Sequence, residues 1–99
     1  MKIEGDLFYQ IEISVNKSQH KEYRKIGDYQ PKIDGYVIFE YNKESGDLSP
    51  ASFRQNTTYE IGGKNRRVLD VNPGCVYIEA LNERNAIKRL VRGDVIHIS

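Results

Sequence analysis

The chain has 99 residues, enough for one domain and too few for two of ordinary size. Fifteen Lys and Arg face fourteen Asp and Glu, a formal charge of +1, which excludes both steering of a polyanion by net charge and an acidic solvating tail. One cysteine, Cys75, excludes an intrachain disulfide, and with His20 and His97 it gives no zinc spacing, so no metal or cofactor is expected. The opening Met1-Lys2-Ile3-Glu4-Gly5-Asp6 is charged, and no apolar run approaches the roughly 20 residues that span a bilayer. These features predict a soluble, cytoplasmic protein with no membrane partner.

Taken in chain order, Leu7, Tyr9, Ile11, Ile13 and Val15 alternate with polar Gln10, Glu12, Ser14 and Asn16, the period of a half-buried strand. A polar connection from Asn16 to Lys32 follows. Tyr36 to Tyr41 carries β-branched and aromatic residues on both faces, as a central strand covered on both sides requires. A second polar loop runs from Asn42 to Asn56, and loops of this length are often functional. Thr57 to Ile61 and Arg67 to Val71 read as strands joined across Gly62-Gly63-Lys64-Asn65. Asn72-Pro73-Gly74 is a turn that predicts antiparallel pairing of Cys75–Leu81 with the strand ending at Val71.

Residues 82–93 fit two conformations equally well. Asn82 is an N-cap candidate, Ala86, Ile87, Leu90 and Val91 have helical spacing, and Gly93 can terminate the helix. The same stretch fits a hairpin return strand. Val95 to Ile98 closes the chain as a last strand. The expected fold is mostly β, a single domain over residues 1–99 forming a small antiparallel barrel or sandwich of about five to seven short strands, with room for one short C-terminal helix.

Catalytic signatures are sparse. No Gly-x-Ser-x-Gly elbow occurs, Gly62-Gly63-Lys64 lacks the length and the Ser or Thr of a phosphate-binding loop, and Arg92-Gly93-Asp94 reads as a turn. Cys75 follows a Pro-Gly turn, where a packed thiol is expected, and His97 between Ile96 and Ile98 takes no assigned role. Charge is uneven along the chain: residues 1–63 hold eight Lys and Arg against ten acids, and residues 64–99 hold seven against four. The basic part places Lys64, Arg66 and Arg67 in one hairpin and Arg84, Lys88, Arg89 and Arg92 in the ambiguous segment. Merged into one patch, they would contact phosphates.

The order of an aromatic β-run (Tyr36-Val37-Ile38-Phe39-Glu40-Tyr41), a polar loop, the stretch from Thr58 to Val71, a turn, and Val76-Tyr77-Ile78-Glu79-Ala80-Leu81 resembles small phage proteins of the head–tail joining and tail-completion type. The resemblance covers about half the chain and implies a β-barrel adaptor, a viral structural protein that assembles in rings through loops and arms, with no catalytic residue to carry over.

The leading expectation is therefore a non-catalytic assembly or adaptor module that binds a protein partner or itself. Seven Tyr and three Phe exceed the evident needs of so small a core, and Tyr23, Tyr29 and Phe53 are the expected loop anchors. The competing expectation is a nucleic-acid-binding barrel that reads phosphate through Lys64, Arg66, Arg67, Lys88 and Arg89.

Overall fold

A computed structural model describes residues 1–17, 35–53, 59–61, 64–66 and 69–97. The chain forms helix α1 (Gly5–Lys17), strands β1 (Val37–Asn42), β2 (Leu48–Pro50), β3 (Tyr59–Ile61), β4 (Lys64–Arg66) and β5 (Cys75–Ala80), helix α2 (Glu83–Arg92) and the two-residue strand β6 (Ile96–His97). An open antiparallel sheet of order β2-β1-β5-β6 carries the core, and among the described residues β3 and β4 form a separate two-stranded sheet. This α+β arrangement replaces the expected barrel or sandwich. Among the described residues the sheet does not close, and its strands number fewer than a barrel needs.

The largest departure is at the N-terminus, where the segment expected as a strand is helix α1. Leu7, Ile11 and Val15 satisfy the alternation of a strand and the i, i+4 spacing of a helix equally. Phe8 separates the two, because it is apolar at an even position and packs with Leu7 against the buried Ile11 and Val15. Tyr9 and Ile13, which a strand would have buried with the others, are 64% and 55% exposed on the far side of the helix.

Helix α2 resolves the second ambiguity. Asn82 is extended, and its side chain accepts a bond from the Asn85 N–H at 2.9 Å. Gly93 adopts the left-handed conformation at the other end, donating to the Leu90 carbonyl at 3.0 Å, while Asp94 N–H donates to Arg89 O at 2.8 Å. Between these caps Ala86 and Leu90 are fully buried, with Ile87 and Val91 packed beside them. A return strand would have turned half of this set outward.

The sheet sorts its side chains by parity. Phe39 and Tyr41 of β1 and Val76, Ile78 and Ala80 of β5 meet Ile11, Val15, Ala86 and Leu90 on the helix-covered face. Ile38, Cys75 and Tyr77 face the other way, under Leu69, Phe53, Ala51 and Val71. The reading of 36–41 as a central strand with two buried faces thus holds, since β1 lies between β2 and β5. Strand β5 pairs with β1 along one edge and, at Val76 and Tyr77, with β6 along the other, so the positions next to the turn, where the segment ending at Val71 was expected to pair, are already taken. Leu69 instead makes an isolated bridge with Phe53. Strand β3 pairs antiparallel with β4, Ile61 opposite Lys64. Lys64 and Asn65, expected in the turn, therefore belong to the second strand, which is Lys64–Arg66 where Arg67 to Val71 was expected. Gly62 and Gly63 lie outside the described residues.

The stretch expected as a polar loop after Asn42 begins as a tight hairpin. The Asn42 side-chain oxygen accepts from Glu44 N–H at 2.9 Å and Ser45 N–H at 3.0 Å, reversing the chain into β2. Residues 1–3 then lie along the outer edge of β2, with Ile3 N–H donating to Gly46 O at 2.8 Å and Leu48 N–H donating to Met1 O at 2.7 Å. Gly46 has φ +80°, and a Cβ there would press into the Ile3 carbonyl and the Phe8 ring. Gly74 has φ +78° with open space around it.

Two alanine substitutions separate strain from crowding. Gly74→Ala should cost about 1–2 kcal/mol, the penalty of a left-handed L-residue, whereas Gly46→Ala should cost about 2–4 kcal/mol because it also displaces the N-terminal segment. Urea denaturation of both variants measures this difference, and equal costs would contradict the packing described for Gly46.

Candidate functional site

A concave feature that gathers cations lies on the outward face of α2. A groove of about 230 Å³ is lined by Tyr36, Leu81, Asn85, Lys88, Arg89 and Arg92. Asn85, Lys88, Arg89 and Arg92 stand at i, i+3, i+4 and i+7, one face of the helix, because Ala86, Ile87, Leu90 and Val91 turn the opposite face into the core. Tyr36 precedes β1 and Leu81 follows β5, so the two central strands deliver the apolar wall. No carboxylate is among the lining side chains.

Arg89 is held in place. Its Nη1 donates to Asp94 Oδ2 at 2.7 Å, and its guanidinium carbon lies 6.0 Å from the centre of the Tyr36 ring. Asp94 can reach back because the Gly93 cap reverses the chain there. Lys88 and Arg92 are exposed, and among the described residues neither makes an ion pair. The site therefore offers one oriented guanidinium against an aromatic face and two cations available to an anion.

The expected site residues fare unevenly. Lys88 and Arg89 both line the groove. Lys64 and Arg66 belong to β4, in the separate two-stranded sheet, and Arg67 lies outside the described residues, as do Tyr23 and Tyr29. Phe53 is half-buried against Ile38, Leu69, Cys75 and Tyr77. Sequence reasoning counted Arg92 in the basic patch but did not assign Tyr36, Leu81 or Asn85 to a site. For Asn85 the signal was its i, i+3, i+4, i+7 spacing with Lys88, Arg89 and Arg92, which becomes visible only when 82–93 is taken as a helix.

A second polar cluster sits on the opposite face of the sheet. Glu40 and Tyr77 are directly opposed on β1 and β5. The Tyr77 hydroxyl donates to Glu40 Oε1 at 2.7 Å and accepts from Asn72 N–H at 2.8 Å, while Asn72 Nδ2 donates to Glu40 Oε1 at 2.7 Å. Burial pushes the Tyr77 phenol far above its ordinary value, and hydrogen bonding to Glu40 adds to the rise. Burial likewise raises Cys75, with Glu40 contributing, so its thiol stays protonated and packs as a small apolar group. Every polar atom named here has a partner, and the network ties the turn at Asn72 to the sheet.

Among the described residues no three His, Cys, Asp or Glu side chains gather as a metal ion would need, and no helix is long and apolar enough to cross a membrane. Comparison with protein-family models, curated proteins and solved structures gave no match, so the functional reading rests on this chain's own residues.

The buried phenols make stability depend on alkaline pH. Tyr77 and Tyr41 hold their protons in the folded state above the ordinary tyrosine value, whereas in the unfolded chain they ionise near pH 10. Their contribution is complete below about pH 10 and is lost as pH rises further. Tyr77→Phe should cost about 2 kcal/mol at neutral pH through the lost bonds to Glu40 and Asn72. It should also flatten the alkaline decline in urea midpoint, and an unchanged slope would rule out the assignment to Tyr77.

Proposed function

We propose that this chain is a non-catalytic binding module whose groove on α2 takes the phosphate backbone of a nucleic acid. The observation that carries the reading is the lining itself: Lys88, Arg89 and Arg92 with Asn85, beside Tyr36 and Leu81 and without a carboxylate. Anion binding needs cations that are not already neutralised, and Lys88 and Arg92 meet that condition among the described residues. A net charge of +1 gives little long-range attraction, so this local concentration of charge would have to supply the affinity. The lone, buried Cys75 suits a reducing compartment such as the cytoplasm.

A second reading, the assembly adaptor implied by the phage-protein resemblance, is favoured by a different observation. Tyr9 and Ile13, one turn apart on α1, are exposed, with Tyr9 edge-on to Phe8 at 5.6 Å between ring centres. Such a pair suits self-association, which light scattering would register as a mass that rises with concentration and stays monomeric in Ile13→Asp.

For the leading reading, fluorescence anisotropy of a labelled oligonucleotide should show affinity falling about tenfold or more between roughly 50 and 200 mM salt. Lys88→Ala/Arg92→Ala should weaken binding and make that salt dependence shallower. Absence of binding at the lower salt, or binding indifferent to salt, would remove the groove from consideration as a phosphate site.

A further inference from the structure

We infer that the groove selects single-stranded over double-stranded nucleic acid, an inference that rests on the polyanion reading above and specifies its ligand. Two independent arrangements converge on it. The first is a row of cations: Arg84, Lys88 and Arg92 are all exposed and succeed one another at i, i+4 and i+8 along α2. Each step rises about 6 Å along the helix axis, a repeat suited to successive phosphates of an extended strand. The three side chains therefore form a track for a backbone, with Arg89 set apart from it by its bond to Asp94.

The second arrangement is the aromatic wall beside that track. Tyr36 and Leu81 give the groove an apolar side, and Arg89 is fixed by Asp94 in front of the Tyr36 ring. The groove's volume of about 230 Å³ lies below the roughly 300–1,000 Å³ of pockets that enclose drug-sized ligands, which fits a single planar ring system. An unpaired base can leave the strand and place its face against a tyrosine or a guanidinium plane. In a duplex the bases are stacked inside, so the same surface would meet only phosphate and sugar. Arg84, one turn before Lys88, extends the row beyond the groove's lining. Phosphates on Lys88 and Arg92 and one base against Tyr36 together use both halves of the groove. A duplex uses only the first.

The test compares a labelled oligothymidylate of roughly a dozen nucleotides with a duplex of equal length, at one low salt concentration, on the intact chain. Single strand should bind about tenfold or more tightly than duplex. Tyr36→Ala should lose about 5- to 100-fold in single-strand affinity and little in duplex affinity, and Tyr36→Phe should retain the preference. Tyr36→Leu, which keeps the apolar bulk without the aromatic face, supplies the same comparison should the alanine variant fail to fold. Alanine at Arg84, Lys88 and Arg92 together should weaken both ligands. Equal affinity for the two ligands, or a preference unchanged in Tyr36→Leu, overturns the single-strand inference while leaving the polyanion reading in place. Failure of both oligonucleotides to bind overturns the polyanion reading itself, and tighter binding of polyglutamate than of either oligonucleotide overturns nucleic acid as the ligand.

Discussion

The pairing of β1 with β5 is the constraint on which the rest of the structure depends. Six residues of each strand are in register from Val37 opposite Ala80 to Asn42 opposite Cys75. Both faces of the pair are buried, Phe39, Tyr41, Val76 and Ile78 beneath the helices and Ile38 and Tyr77 beneath the opposite covering. A one-residue slip would exchange the two sets and place Glu40 under α1 and α2, where a carboxylate would lose water without gaining a partner. The Tyr77 hydroxyl bonded to Glu40 reinforces the same register from the other face.

The groove follows from that pairing. Strand β5 ends at Ala80, and Asn82 caps α2 after a connection of only Leu81 and Asn82, so the position of the strand fixes where the helix begins. Ala86 and Leu90 then dock on the sheet and set the helix's rotation. With rotation fixed, Asn85, Lys88, Arg89 and Arg92 must face outward, next to Tyr36 at the start of β1. The cations owe their clustering to an apolar stripe on the other side of the same helix.

Much of this was legible in the sequence. The central strand showed in Tyr36 to Tyr41, and the alternative helix with both its caps in Asn82 and Gly93. What was not legible had specific physical causes. Leu7, Ile11 and Val15 fit two periods, and Phe8, the residue that breaks the tie, carries little weight when alternate positions alone are counted. The partner of β5 is set by a contact with β1 that is distant in sequence, whereas the turn at Asn72-Pro73-Gly74 favours a local partner. Tyr36 looked like core because its neighbours are core. Its place beside Arg89 depends on how α2 returns across the sheet, which no local pattern encodes.

The central claim is that recognition is centred on the outward face of α2. Titration of the isotope-labelled protein with an oligothymidylate, followed by amide chemical-shift changes, locates any contact without altering a residue. The account predicts that the largest changes fall on Asn85, Lys88, Arg89 and Arg92 and on Tyr36. Changes centred on the exposed Tyr9 and Ile13 face of α1, or no changes at all, would contradict it.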